Sequence, residues 1–362
     1  MKIGLLLFQN VIGGIETISI SLANLLQEQG HKVFFMFPFG CSDMTNIEIP
    51  TEFKVYNQPH KTSRITVKDM ISFMANSINE EEADIIISMF LEESYILLKA
   101  KKYINKKFKL ITMDHQCYCT THNCTTQKKF WADRIFSIYN QSDALATIIK
   151  LDEDFYKTKL NIPVITIPNL PRKCFYTEIN SFENNMRGKK ILSIGRLVKI
   201  KGFDILIRAF SKIENTDWTL HIYGDGPEKD SLLNLIKTNG MENKIFLYPA
   251  TEDVPLTMNN HEMFVFPSII EPYGMALVEA LLMGLPTISF NCPNGPAIIE
   301  SELPGSFILV PNKNEELLAY EINKLMNDKN KRTELSLLAR KYRDIINKEK
   351  ILKLWTDLFN KI

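Results

Sequence analysis

Short apolar runs recur along this chain, each followed by a longer stretch in which apolar positions return every third or fourth residue. Ile3–Phe8 reads as a buried strand, since a strand covered on both faces is continuously rather than alternately hydrophobic. Asn10 to Gly14 makes a glycine-containing turn. Ile15 to Gln29 then has helical spacing through Ile18, Leu22, Leu25 and Leu26, with Gly30 as its cap. Lys32–Pro38 is a second strand, and similar runs stand at Ile85–Met89, Leu110–Met113, Ala144–Ile149 and Val164–Ile167. Strands alternating with amphipathic helices predict parallel sheets with crossover connections.

After Pro168 the texture changes. Asn169 to Lys190 carries four asparagines and little periodicity, which places a domain boundary there. A second series follows, with strands at Ile191–Ile194 and Trp218–Tyr223 around a helix from Phe203 to Ile213. Ile245–Tyr248, Met263–Pro267, Thr287–Phe290 and Phe307–Val310 complete a second sheet. Glu315 to Ile362 is almost all helical, and Ile351, Leu354, Trp355, Leu358 and Phe359 share one face. The pattern predicts an α/β fold of two Rossmann-like, doubly wound parallel-sheet domains, 1–170 and 171–345. A C-terminal helix, 346–362, is expected to pack back on the first. Such sheets bind ligands at their carboxyl edges.

Composition narrows the function. A chain of 362 residues is long enough for two cores, and 45% hydrophobic with 23% charged residues describes a globular protein. Forty-three basic against 42 acidic residues leave +1, which argues against nucleic acid as the main partner. Six scattered cysteines read as reduced thiols. The opening apolar run is too short for a signal peptide and no stretch approaches a membrane span. The expectation is a cytoplasmic protein, at most lying on a membrane surface.

The strongest chemical signal runs from Ser268 to Pro286. Glu271 falls on the loop after a strand, and Glu279 about two turns into the helix that Gly284 ends. Gly274 allows close backbone approach, and the free N–H groups of the helix start, with Met275, suit a phosphate. Carboxylates accept paired hydrogen bonds from vicinal hydroxyls, so this pair suits a sugar and a ribose. A loop acid and a solvated helix acid fit the spacing as well, although Leu277, Val278, Ala280 and Leu281 flank Glu279. In Gly195-Arg196-Leu-Val-Lys199-Ile-Lys201-Gly202, two cations follow a strand's carboxyl end, where they could hold a pyrophosphate or form a plain basic turn. Gly13-Gly14 closes the first strand-to-helix turn without the full G-x-G-x-x-G spacing, which disfavours a dinucleotide. His115 follows the strand Leu110–Met113, where it could bond a sugar hydroxyl or be incidental.

Taken together, Gly13-Gly14, Gly195-Arg196 with Lys201-Gly202, Tyr223-Gly224-Asp225-Gly226-Pro227, and Glu271 and Glu279 with seven residues between them resemble the retaining glycosyltransferase family 4. The resemblance implies the GT-B architecture, two Rossmann-like domains facing a cleft, with the acceptor on the first and a nucleotide-sugar donor on the second. It implies that Arg196 and Lys201 bind the donor diphosphate, Glu279 the ribose and Glu271 the transferred sugar. Gly14 and the amides near Gly274 and Met275 would contact phosphate, and His115 the sugar's outer hydroxyls. Ser289 to Pro296 resembles a branch that often uses UDP-hexoses or UDP-N-acetylhexosamines. Tyr273 departs from the more usual Phe. No metal or other cofactor is expected. The acceptor would be a saccharide, free or lipid-linked, of a bacterial surface polysaccharide or glycoconjugate. An epimerase or phosphorylase on the same architecture, or a non-catalytic glycan-binding relative, stays open.

Other signals are weaker. Asp152-Glu153-Asp154 matches a metal-binding D-x-D pattern but reads as a helix opening. His115, Cys117, Cys119, His122 and Cys124 crowd one loop without a standard zinc spacing. Lys99, Lys101, Lys102, Lys106, Lys107 and Lys109, with Lys128 and Lys129 before Phe130-Trp131, suit either an anionic membrane surface or a solvated face.

Overall fold

The computed structural model describes residues 1–9, 14–40, 48–59, 65–115, 134–177, 188–214, 216–251 and 253–362. The chain forms two compact units, Met1–Arg172 with Asn347–Ile362, and Lys173–Ile346. The first holds a seven-stranded parallel sheet of β1 (Lys2–Leu6), β2 (Lys32–Phe37), β3 (Lys54–Asn57), β4 (Ile85–Ser88), β5 (Lys109–Asp114), β6 (Ala144–Thr147) and β7 (Val164–Thr166). Their order, β3-β2-β1-β4-β5-β6-β7, reverses direction between β1 and β4. Hydrophobicity explains the placement. The central strands β1, β4, β5 and β6 are buried almost throughout, while the edge strand β3 is not, and its half-exposed Lys54-Val-Tyr-Asn57 gives no apolar run to read. The last helix, Lys348–Phe359, belongs to this unit; Ile351, Trp355 and Leu358 are buried and Lys348 pairs with Glu28 of the first helix, Gly14–Glu28.

The second unit repeats the plan with β8 (Lys190–Ile194), β9 (Thr219–Tyr223), β10 (Ile245–Tyr248), β11 (Met263–Phe266), β12 (Thr287–Asn291) and β13 (Ile308–Pro311). All pair in parallel in the order β10-β9-β8-β11-β12-β13, and the direction reverses between β8 and β11. The stretch expected to be one long helical region divides into Glu315–Asn327, Lys329–Arg340 and Lys348–Phe359. Asp328 separates the first two and caps the second by accepting from the Lys331 N–H. A turn of 3₁₀ helix, Lys341–Asp344, precedes the third.

Candidate active site

The sequence-predicted cations and acids gather where the second sheet reverses. Gly195 continues β8 by donating its N–H to Tyr223 O at 3.1 Å, and Arg196 follows, exposed, at the carboxyl edge. A short 3₁₀ turn, Lys199–Lys201, brings Lys201 back toward β11. Gly202 then starts the helix Phe203–Ser211 at φ +67°, where a Cβ would stand 2.1 Å from the Pro267 carbonyl oxygen. Only glycine fits so close to the loop after β11. As a result Lys201 Nζ forms a salt bridge with Glu271 Oε2, with 23% of the lysine side chain and 13% of the glutamate's exposed. Residues seventy apart in sequence thus pair at the strand-order reversal, where open α/β sheets bind ligands.

The loop carrying Glu271 is held by backbone. Glu271 bridges Asn294, and the Gly295 N–H donates to Glu271 O at 3.1 Å. Gly274, at φ +98°, starts the helix Met275–Leu282. The helix ends in a Schellman arrangement, with Leu285 N–H bonding Ala280 O and Gly284 N–H bonding Leu281 O. Because Pro272 to Gly274 remain loop, Glu279 lies little more than one turn inside the helix rather than the expected two. It is 6% exposed, so the solvated-face reading does not hold. Nearby Cys292 is buried, and burial followed by the Glu271 charge pushes its thiol up to about 12. It stays protonated and is no nucleophile at neutral pH.

In the first unit Gly14 is exposed at the start of the first helix, and Gly13 lies outside the described residues. His115 follows β5 and is 6% exposed. Neither ring nitrogen has a hydrogen-bond partner among the described residues, its ring stands edge-on to Phe90 at 6.1 Å, and burial lowers its pKa to about 4. Glu93 was not anticipated. It sits in the helix Leu91–Ala100 after β4, fully buried, with neither oxygen partnered among the described residues. Burial, then the charge of Glu92, raises its pKa well above the usual carboxylate range. The amides of Phe90 and Phe8 face it and offset only part of that. A signal existed: Glu93, Leu97 and Ala100 share the i, i+4, i+7 stripe, and the latter two are core.

The D-x-D residues open the helix Lys150–Lys157, where Glu153 is taken up by Lys150, Lys157 and the Thr166 N–H, and Asp154 by Lys150. Among the described residues no group of acids, histidines and cysteines could hold a metal ion. The cysteines of the crowded loop, with Lys128 to Trp131, lie outside the described residues. In the basic cluster Lys106 pairs with Asp84 at 2.6 Å and Lys109 with Asp143 at 3.1 Å, while Lys99 and Lys102 lie over the rings of Tyr95 and Tyr103. No helix among the described residues is long and apolar enough to cross a membrane.

Residues 176–342 match the family model "Glycosyl transferases group 1". An "uncharacterized glycosyltransferase" of Haemophilus influenzae is 26% identical over 352 residues, 95% of each chain. The amylovoran biosynthesis glycosyltransferase AmsD of Erwinia amylovora is 23% identical over 351 residues, 96% of each. Among solved structures, Anabaena Alr3699/HepE in complex with UDP and glucose superposes with a TM-score of 0.79 at 17% identity, covering 100% of both chains. The two Rossmann-like parallel-sheet units share the fold of these structural neighbours, which are GT-B glycosyltransferases.

Proposed function

We propose that this glycosyltransferase, whose residues 176–342 match the group 1 model, moves a hexose or N-acetylhexosamine from a UDP-sugar to a saccharide hydroxyl with retention at the anomeric carbon. The product would be a bacterial surface polysaccharide or glycoconjugate. The observation that carries this is the Lys201–Glu271 pair at the carboxyl edge of β8 and β11, beside Arg196 and the start of the helix Met275–Leu282. Arg196 and Lys201 bind the diphosphate, and the amides near Gly274 and Met275 add donors without a compensating charge. Glu279 takes the ribose hydroxyls, and Glu271 turns from Lys201 to the hydroxyls of the transferred sugar. A relative named for amylovoran biosynthesis and a structural neighbour in complex with UDP and glucose support the same reading.

The bond from the anomeric carbon to the β-phosphate oxygen breaks, and the acceptor oxygen bonds to that carbon on the same face. The acceptor's proton passes to the departing phosphate oxygen, so no separate base is required. Lys201 and Arg196 stabilise the charge that develops on the leaving diphosphate. His115, neutral, is assigned a hydrogen bond to a sugar hydroxyl, and Gly14 a phosphate contact. The enzyme works in the cytoplasm, requires no metal, and meets a lipid-linked acceptor at an anionic membrane through Lys101, Lys107 and their neighbours. The test is a thermal-shift screen of UDP-, GDP- and ADP-sugars, followed by mass spectrometry of products. Selective stabilisation by UDP-sugars is expected, since bound donor stabilises the native state logarithmically with its concentration. Stabilisation by GDP- or ADP-sugars alone would reject the donor assignment.

A further inference from the structure

Tyr273 lies two residues after Glu271 and one before Gly274. It is buried, and its hydroxyl stands 3.4 Å from that of Tyr342. Tyr342 in turn donates to Glu302 Oε2 at 2.6 Å. A carboxylate oxygen accepts, so the direction of the chain is fixed: the Tyr342 O–H donates a hydrogen bond to Glu302, and its oxygen can accept from Tyr273. Burial raises the pKa of both phenols, so both keep their protons. A phenylalanine at 273 would fill the ring's space without joining this chain.

The partners matter because of what else they touch. Glu302 ends the helix Gly295–Glu302, and Gly295 at its other end already holds the Glu271 carbonyl. Gly295 also approaches Tyr273 so closely that a Cβ on it would stand 2.2 Å from the Tyr273 carbonyl oxygen. One helix therefore contacts the glutamate loop by backbone at its start and through the Tyr342 hydroxyl at its end. Tyr342 belongs to the turn Lys341–Asp344, whose Arg343 Nε donates to Leu282 O at 3.0 Å, at the far end of the helix that Gly274 begins. Both ends of the loop-and-helix element are thus tied to the last turn before the chain leaves the second unit at Ile346.

We infer that Tyr273 and Tyr342 are positioning residues for the transfer: the relay Tyr273–Tyr342–Glu302 fixes the loop 271–274 so that the Glu271 carboxylate and the Gly274 and Met275 amides hold their places beside Lys201. This deepens the proposed function and rests on the role assigned there to Glu271. Both tyrosines are buried. Their effect is on geometry, and small misplacements of a catalytic group are costly in rate.

Tyr273→Phe, Tyr342→Phe and the double variant test this in the full chain. Each removes one oxygen and no volume, and Glu302 is exposed enough for water to replace its lost donor. UDP release is followed with UDP-glucose, UDP-galactose, UDP-N-acetylglucosamine and UDP-N-acetylgalactosamine, alongside amide hydrogen exchange over residues 268–283. Each single variant is expected to lower kcat about 10-fold with the donor KM within 2-fold and the melting temperature nearly unchanged. The double variant should fall no further, because both hydroxyls serve one relay. Amides of the loop should exchange at least 10-fold faster in every variant. Unchanged kcat and exchange, multiplying losses, or a rate loss that follows the melting temperature would overturn the inference. If wild-type protein turns over none of the four donors, the UDP-sugar reading fails. The exchange arm then still decides whether the relay holds the loop.

Discussion

At the strand-order reversal of the second sheet, Lys201 and Glu271 face each other as ions, each with part of its surface in water. At the reversal of the first, Glu93 is fully enclosed, His115 after β5 is nearly so, and burial drives both toward their neutral forms. The two units share one doubly wound plan, so the contrast comes from side chains and not from topology. A partly open pair of opposite charges can exchange its internal partner for a diphosphate on one side and hydroxyls on the other without burying a lone charge. Enclosed neutral groups cannot hold a phosphate, but they suit an uncharged hydroxyl. The two carboxyl edges therefore differ in electrostatics, one ionic and one neutral.

The largest effect should come from breaking the charged edge. Lys201→Ala and Glu271→Ala are each expected to lower kcat about 10³-fold, the scale for losing one preorganised group at developing charge. Each variant leaves its partner's mostly buried charge unpaired, so the melting temperature should fall while the far-UV circular dichroism stays that of wild type. Steady-state transfer and thermal melting read both. A variant keeping a tenth of wild-type turnover would remove the second unit from its side of the comparison.

Acid tests the neutral edge. His115 is uncharged in the fold at any pH above about 4, whereas in the unfolded chain it takes a proton below about 6.5. The unfolded state therefore binds more protons in that window, and stability present above pH 6.5 is lost as pH falls toward 4, by about 3 kcal/mol for this residue. His221 and His261 of the second unit, also lowered to about 4 chiefly by burial, add a loss of the same sign. Urea unfolding at pH 7.5 and 4.5 should show a smaller acid loss in His115→Leu than in wild type. An equal loss would mean His115 is not held neutral.

Glu93 should behave with the opposite sign. Its folded pKa is raised, so the fold binds the extra proton, and stability is full below the carboxylate's ordinary range and lost as pH rises. Glu93→Gln keeps the shape without that loss. It should melt above wild type at pH 8 and match it near pH 4, in the same series of melts. The smallest effect is expected at Gly274→Ala. The new Cβ would meet Glu271 and Phe266 at an ordinary 3.4 Å, leaving only the strain of φ +98°, about 1 kcal/mol by urea unfolding.

The legibility of these features in sequence follows from their physics. Buried parallel strands are continuous apolar runs, so β1, β4, β8, β11 and β12 stand near their expected places, while β3 on an edge has no such run. Lys201 and Glu271 were visible as residue types at strand ends, but their pairing is a tertiary fact that accompanies Gly202 passing so close to Pro267 that no Cβ would fit. Glu93 looks like its exposed-type neighbour Glu92 in any composition count. Only the helical stripe it shares with Leu97 and Ala100 marks it as inward. The Tyr273 hydroxyl could not be assigned a partner from sequence, since Tyr342 lies sixty-nine positions away.

The most direct measurement is calorimetric titration of UDP into the wild-type protein and into Lys201→Ala. Saturable binding to wild type, weakened at least 10-fold in the variant, is expected if the second unit's edge is built to exchange its internal ion pair for a diphosphate. Equal affinity in both proteins, or none in the wild type, would contradict it.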